Sequence, residues 1–268
     1  MTVSNLVQTD VRDYIRRKLE TLARENRGRL LFGIESGSRA WGFPSADSDY
    51  DVRFVYRCQM DDYLSVADRR DVIETPTAHD EVLAVELDLN GWDIRKALQL
   101  ALKSNAALLE WLNSPICYAK DEELHGLLHG FANKAADLQA LSYHYDRLAR
   151  RAWEEILAGS TQVKLKRYCY ALRSALALAW IGKNQTVPPM NIRQLMDGLS
   201  LPDGFRYEIN RMIETKSGST EKHATDRNIV FDRFLETALA VKAQRPVLPV
   251  SPELAEEADR MFRQIVLS

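Results

Sequence analysis

The chain reads as an α+β protein in which strands and helices share the first part and helices alone make up the rest. Three observations predict this. Apolar residues recur at helical spacing in Val11, Ile15, Leu19 and Leu22, whereas in "SDYDVRFVY" and "EVLAVELDLNGW" they alternate with polar ones as in half-buried strands. From Asp121 onward the strand signal disappears and helical spacing takes over. The 268 residues, 46% of them hydrophobic, suffice for one large domain or two modest ones.

Taken in order, Asp10 to Asn26 form an amphipathic helix with Thr9 or Asp10 as its N-cap. "RLLFGIES" is a short buried strand that ends in Ser-Gly-Ser. "SDYDVRFVY" is a second strand, with Asp49, Asp51 and Arg53 on one face. A loop-rich acidic stretch runs to Asp80. "EVLAVELDLNGW" is a third strand, with Glu86, Asp88 and Asn90 on one side and Val85, Leu87 and Leu89 on the other. "DIRKALQLALKSNAALLEWLNSP" reads as one helix capped by Asp93 and stopped at Pro115.

Beyond Asp121 the periodicity predicts two long helices broken at Gly159, the second starting at Thr161. Shorter helices follow as far as Arg245, with "TKSGSTEKHATDRN" as an exposed polar loop between them. "RPVLPVSP" reads as a Pro-rich linker to a last amphipathic helix from Pro252. The expected domains are therefore residues 1–118, a helical domain over 119–246, and a linker with a C-terminal helix over 247–268.

Charge and cysteine content narrow the function. With 38 acidic and 36 basic residues the net charge is −2, so no bulk field draws the chain onto nucleic acid or a membrane, and any polyanion contact must be local. Cys58, Cys117 and Cys169 are far apart and fit neither a disulfide framework nor a thiolate zinc site. The N-terminus lacks a signal-peptide pattern, and the longest apolar run, around "ALALAWI", is too short to span a bilayer. A soluble, cytoplasmic protein is the expectation.

The chemistry concentrates in "GIESGSRAWGFPSADSDYDVRFVY". Asp49 and Asp51 project side by side from one strand, an arrangement that calls for a neutralising cation. Oxygen-only ligands favour a hard ion such as Mg²⁺ or Mn²⁺, which commonly links carboxylates to substrate phosphates. Gly37 allows close backbone approach, Ser38 offers a hydroxyl and an amide, and a helix starting near Arg39 would turn its positive end toward an anion. Arg39 is either a fork of donors for phosphate or a surface arginine after a turn.

"GSRAWGFPSADSDYDVR" resembles the signature of the DNA polymerase beta superfamily of nucleotidyltransferases, a Gly-Ser followed after about ten residues by DxD. More narrowly, the chain is similar to the predicted nucleotidyltransferases associated with RNA ligases and RNA repair. "IRKALQLALKSNAALLEWLNSP" and "KRYCYALRSALALAW" match two further motifs of that group, except that Ala106 stands where the family usually has proline. The likeness spans Leu30 to Arg245.

The resemblance implies a nucleotidyltransferase domain with a mixed β-sheet flanked by helices, followed by a helical domain that closes over the nucleotide. It implies two Mg²⁺ (or Mn²⁺) ions held by Asp49, Asp51 and a third acid, for which Asp88 is the choice and Glu86 the runner-up. The implied reaction moves a nucleoside monophosphate from a nucleoside triphosphate such as ATP to an acceptor hydroxyl, with pyrophosphate leaving. The acceptor class stays open among an RNA or DNA end, a protein hydroxyl and a small molecule. Gly37, Ser38 and Arg39 are implied nucleotide contacts, and Lys166, Tyr170 and Arg173, one polar stripe on the helix from Thr161, are further candidates. A solvated basic face is the competing reading of that stripe.

Other features carry less. Lys103 and Asn105 match the family motif without an assigned role beyond capping and positioning their helix. His125 and His129 share a helical face but lack a third ligand, and read as ordinary surface histidines. The arginines of "RDYIRRKLETLARENRGR" face either RNA phosphates or solvent. A glycosyltransferase would leave the Gly-Ser turn unexplained, and a haloacid-dehalogenase-type phosphatase needs its DxD after a long apolar strand. The standing alternative is a catalytically silent nucleotidyltransferase-like module that binds nucleotide or protein.

Overall fold

The structure is a computed structural model that describes residues 7–67, 69–159, 162–246 and 250–268. In chain order the first elements are α1 (Thr9–Glu25), β1 (Gly28–Glu35), α2 (Gly37–Trp41), β2 (Tyr50–Cys58), α3 (Met60–Tyr63), β3 (Val72–Glu74), β4 (Ala78–Asp80) and β5 (Val85–Asp93). Then come α4 (Ile94–Leu102), α5 (Ala106–Leu112), β6 (Cys117–Lys120), α6 (Glu122–Ala135), α7 (Leu138–Ala158), β7 (Gln162–Lys164) and α8 (Leu165–Asn184). The chain ends with α9 (Ile192–Gly198), α10 (Asp203–Ser217), β8 (Ala224–Asp226), α11 (Ile229–Ala238) and α12 (Pro252–Leu267). The expected α+β class with a mixed sheet flanked by helices is what the chain forms.

The described residues fall into two compact units, one holding the chain up to Gly37, Asp49–Ala136 and α12, the other Ser38–Ser48 and the chain from Asp137 onward as far as residue 246. In the first unit the sheet runs β3-β5-β2-β1-β6, with β4 also paired to β5. Only the β2–β5 pair is parallel among these described strands. Alternation sorts the faces: Tyr50, Val52 and Phe54 of β2 and Leu87 and Leu89 of β5 join Ile15 and Leu19 of α1 in one core. The opposite face carries Asp51, Arg53 and Asp88, and further along the same strands it is covered by α4 and α12. Ile94, Ala97, Leu98 and Ala101 supply the buried stripe of α4, and Trp92 stacks on Trp111 at 3.6 Å.

Several boundaries differ from the sequence reading. The segment read as one helix from Asp93 to Pro115 is two, because Ser104 adopts φ +52° and the Asn105 side chain accepts a hydrogen bond from Leu108 N–H to start α5. Ala106 is thus a first helical position, where proline is tolerated, which accounts for the departure from the family pattern. The long helix expected to run to Gly159 divides at Ala136, and Asp137 caps α7 by accepting from Ala140 N–H. Short strands β3, β4, β6 and β8 occupy stretches read as loop or left unassigned, and β7, paired with β8, stands where the second long helix was expected to begin, so the later part is not helices alone; Thr161 lies outside the described residues. Thr9 opens α1, and Gln8 rather than Thr9 or Asp10 sits at the N-cap.

In the second unit α8 is the central helix, packed by α7, α9, α10 and α11. This is why "ALALAWI" is so apolar: Ala175, Leu176, Ala177 and Ile181 are all buried. Among the described residues no helix is long and apolar enough to cross a membrane. The three cysteines are free thiols. The middle of the expected "RPVLPVSP" linker lies outside the described residues.

Candidate functional site

The parallel pairing of β2 with β5 sets Asp51 directly beside Asp88. Both carboxylates stand on the face away from α1, together with Arg53 two residues along the strand. The Arg53 guanidinium bridges them: Nη2 donates to Asp51 Oδ1 at 3.2 Å and to Asp88 Oδ2 at 2.7 Å, while Nη1 donates to the Asp88 carbonyl at 3.2 Å. These side chains are 18% (Arg53), 23% (Asp51) and 27% (Asp88) exposed, so the bridge lies near the surface and open to ligand. Asp49 precedes β2 by one residue and is half-buried. Glu86, the alternative third acid, lies opposite His79 of β4 and is exposed.

Two residues behind Asp51 fix its backbone. Glu35, fully buried at the end of β1, accepts from Asp51 N–H at 3.1 Å through Oε1 and from the Tyr118 hydroxyl at 2.6 Å through Oε2. Ser36 N–H donates to the Asp51 carbonyl at 2.7 Å. Gly37 follows at φ +57°, and a Cβ there would fall 1.8 Å from Asp51 Oδ2. No side chain is compatible with that approach, so the glycine of the Gly-Ser pair is required by the Asp51 carboxylate itself. The sequence reading missed Glu35; its one signal was an acid closing an otherwise apolar strand.

The expected ligands Asp49, Asp51 and Asp88 offer oxygen alone, the donor type that suits Mg²⁺ or Mn²⁺. Among the described residues no three of His, Cys, Asp and Glu gather into a metal-holding group. Between Asp51 and Asp88 the neutralising charge is that of Arg53. An ion that used both carboxylates would have to take over bonds that Arg53 makes.

The second unit holds the other candidates. Ser38 Oγ donates to Ser48 Oγ at 3.1 Å, and Arg39 Nη2 donates to the Ser48 carbonyl at 2.6 Å. On α8, Lys166 lies 5.5 Å from the Tyr170 ring, which meets Trp41 edge-on at 5.3 Å. Arg173 sits over the same Trp41 at 4.6 Å. Lys166, Tyr170 and Arg173 are thus joined through Trp41, although Arg173 is 3% exposed and donates from Nε to the Met190 carbonyl, so the stripe is not a solvated basic face along its length.

Four residues here went unread in the sequence: Ser45, Ser48, Lys216 and Glu221. Glu221 Oε1 accepts from Ser45 Oγ (2.8 Å), Ser48 Oγ (3.0 Å) and Lys216 Nζ (2.8 Å), and Lys166 Nζ lies 3.0 Å from Oε2. Burial raises the Glu221 pKa, but the bonds from Lys216, Ser45 and Lys166 outweigh it and bring the carboxyl down to about 2. Lys166 is itself held above the usual lysine range: burial opposes this, and Tyr170 and Glu221 outweigh it. "TKSGSTEKHATDRN" is therefore not simply an exposed loop, since Lys216 is 2% exposed and its charge is met by Glu221.

The remaining expectations resolve more simply. His125 and His129 are half-buried rather than surface residues, with His125 edge-on to Phe32 and His129 paired to Asn113. Burial lowers the His125 pKa. Arg12 donates to the carbonyls of Val7 and Cys117, and Arg16 pairs with Asp13, so part of the N-terminal arginine cluster is engaged within the fold.

Comparison with known proteins agrees with the motifs. A chain of similar sequence is the "Uncharacterized protein YcgL" of Bacillus subtilis (strain 168), 38% identical over 240 residues, which span 89% of this chain and 90% of that protein. Among solved structures, a nucleotidyltransferase-like protein from Exiguobacterium sibiricum 255-15 aligns over 94% of this chain and 79% of its own, with 12% identity and a TM-score of 0.33. Residues 11–264 match the family described as the RNA repair pathway DNA polymerase beta family. With nearly its whole length covered by that match, the chain belongs to the RNA repair pathway DNA polymerase beta family.

Proposed function

We propose that the protein is a metal-dependent nucleotidyltransferase that moves a nucleoside monophosphate from a nucleoside triphosphate to an acceptor hydroxyl, releasing pyrophosphate. The observation that carries this reading is the in-register pairing of Asp51 with Asp88 across parallel strands, with Gly37 closed against the Asp51 carboxylate. Asp49, Asp51 and Asp88 would hold Mg²⁺ or Mn²⁺, which when bound neutralises phosphate oxygens and acidifies the acceptor hydroxyl.

The chain's own residues do the rest. Asp88 takes the proton from the attacking hydroxyl, which adds in line to the α-phosphorus as the bond to the leaving pyrophosphate breaks. Glu35 and Ser36 hold the Asp51 backbone in place, and Arg53 keeps Asp51 and Asp88 from repelling each other before substrate arrives. Ser38, Arg39, Lys166 and Tyr170 are assigned to the nucleotide by the family motif and by their donor chemistry. Arg173, buried over Trp41, is assigned a positioning role through that ring. An RNA end is the acceptor favoured by the family's association with RNA repair.

The Arg53 bridge also favours a second reading, in which the fold binds nucleotide without turnover because Arg53 retains both carboxylates. Incubation with α-labelled nucleoside triphosphates, Mg²⁺ or Mn²⁺, and a panel of RNAs, proteins and small hydroxyl compounds separates the two. Label transfer that is absent in Asp51→Asn supports the transferase. Nucleotide binding with no transfer to any acceptor supports the silent module.

A further inference from the structure

The Glu221 carboxylate occupies a position built from donors. Ser48 Oγ accepts from Ser38 Oγ at 3.1 Å and from Ser45 N–H at 2.9 Å, which leaves its own proton for Glu221 Oε1 at 3.0 Å or for Ser45 Oγ at 2.9 Å. Ser45 Oγ and Lys216 Nζ converge on the same oxygen, and Lys216 also lies 3.3 Å from Ser45 Oγ. On the other oxygen, Oε2, Lys166 Nζ at 3.0 Å is the single partner among the described residues. One oxygen is crowded with donors and the other is underused.

That arrangement suits an anion with more oxygens than a carboxylate has. Two lysines and one glutamate also leave a surplus of one positive charge at the centre. Lys216, at 2% exposure, cannot meet its charge with bulk water and needs a fixed counter-anion. A phosphate group presents several acceptor oxygens and more negative charge, so it matches both the donor count and the surplus.

We propose that Ser45, Ser48, Lys166 and Lys216 form a binding site for a phosphate group of the nucleotide's triphosphate tail, and that Glu221 is an internal stand-in which the tail displaces. Glu221 is suited to leave: it sits in the short segment between α10 and β8, and its side chain is 25% exposed. The site is thus held closed by Glu221 until a phosphate chain competes for the same donors. The inference rests on the nucleotidyltransferase reading for the class of ligand, but it requires neither metal nor chemistry.

Calorimetric titration of the full-length protein with inorganic tripolyphosphate, without divalent metal or acceptor, tests it apart from catalysis. Glu221→Gln keeps the shape but removes the competing charge, and is expected to bind tripolyphosphate about tenfold more tightly than the unsubstituted protein. Adding Lys166→Met to that variant is expected to abolish the gain. Equal affinity of Glu221→Gln and the unsubstituted protein overturns the proposal, as does a gain that survives Lys166→Met. Orthophosphate bound by Glu221→Gln as tightly as tripolyphosphate overturns the assignment to a phosphate chain. Should Glu221→Gln fold poorly, Lys166→Met alone, altered at a 39% exposed side chain, must still weaken tripolyphosphate binding, and unchanged binding contradicts the proposal. Loss of label transfer in Asp51→Asn bears on the transferase reading alone.

Discussion

Gly37 lies so close to Asp51 that a single added carbon would fall 1.8 Å from the carboxylate oxygen Oδ2. Gly37→Ala must therefore move Asp51 or the turn, and it also places a side chain at φ +57°. The expected result is a loss of transfer rate of about a hundredfold, the scale of an ångström-sized misplacement, with little change in circular dichroism. Steady-state assays on the purified variant check this. A rate equal to that of the unsubstituted protein would show that the close approach is incidental.

Arg53 makes the cation between Asp51 and Asp88, so it competes with any ion that needs both. Arg53→Gln is expected to tighten Mn²⁺ binding by about tenfold, because the carboxylates lose a counter-charge and gain one in the ion. Titration followed by electron paramagnetic resonance reads free Mn²⁺ directly. Weaker binding in the variant would mean that Arg53 orients the acids for the metal rather than competing with it.

Tyr118 supports Asp51 from one step further back. Tyr118→Phe removes the hydroxyl donor from the buried Glu35 carboxylate and is expected to cost about 1–3 kcal/mol in unfolding free energy. Urea denaturation measures it. A change within the noise of the assay would show that Glu35 is satisfied without Tyr118.

Glu221 makes stability depend on pH at the acid end. Its carboxyl is brought from 4.5 down to about 2 in the folded chain, so the unfolded state binds more protons between those values. The stabilisation is present above about 4.5 and is lost as the pH falls toward about 2. In Glu221→Gln the stability curve is expected to be flatter across that window. Denaturation midpoints at a series of acidic pH values would show it, and parallel curves for the two proteins would contradict the network described for Glu221.

What the sequence made legible and what it did not divide along physical lines. Alternation in "SDYDVRFVY" and "EVLAVELDLNGW" identified β2 and β5 and sorted Asp51 and Asp88 to the face away from the core, because a one-sided strand advertises its burial residue by residue. The break at Ser104 was hidden since apolar spacing continues across it, and only the backbone at φ +52° reveals it. β6 is too short for a period to show. The Glu221 network was out of reach for another reason: Ser45 lies 176 residues from Glu221, and a buried lysine looks like a surface one until its partner is in place. Glu35 was missed on the same ground, as its partner Tyr118 is 83 residues away.

The most direct measurement of the central claim is transfer of label from an α-labelled nucleoside triphosphate to an acceptor hydroxyl in the presence of Mg²⁺ or Mn²⁺, for the unsubstituted chain beside Asp51→Asn and Asp88→Asn. Label in the acceptor with the unsubstituted chain, reduced by about a hundredfold or more in each variant, is the result predicted from the paired carboxylates. Transfer that persists at the same rate in both variants would contradict it.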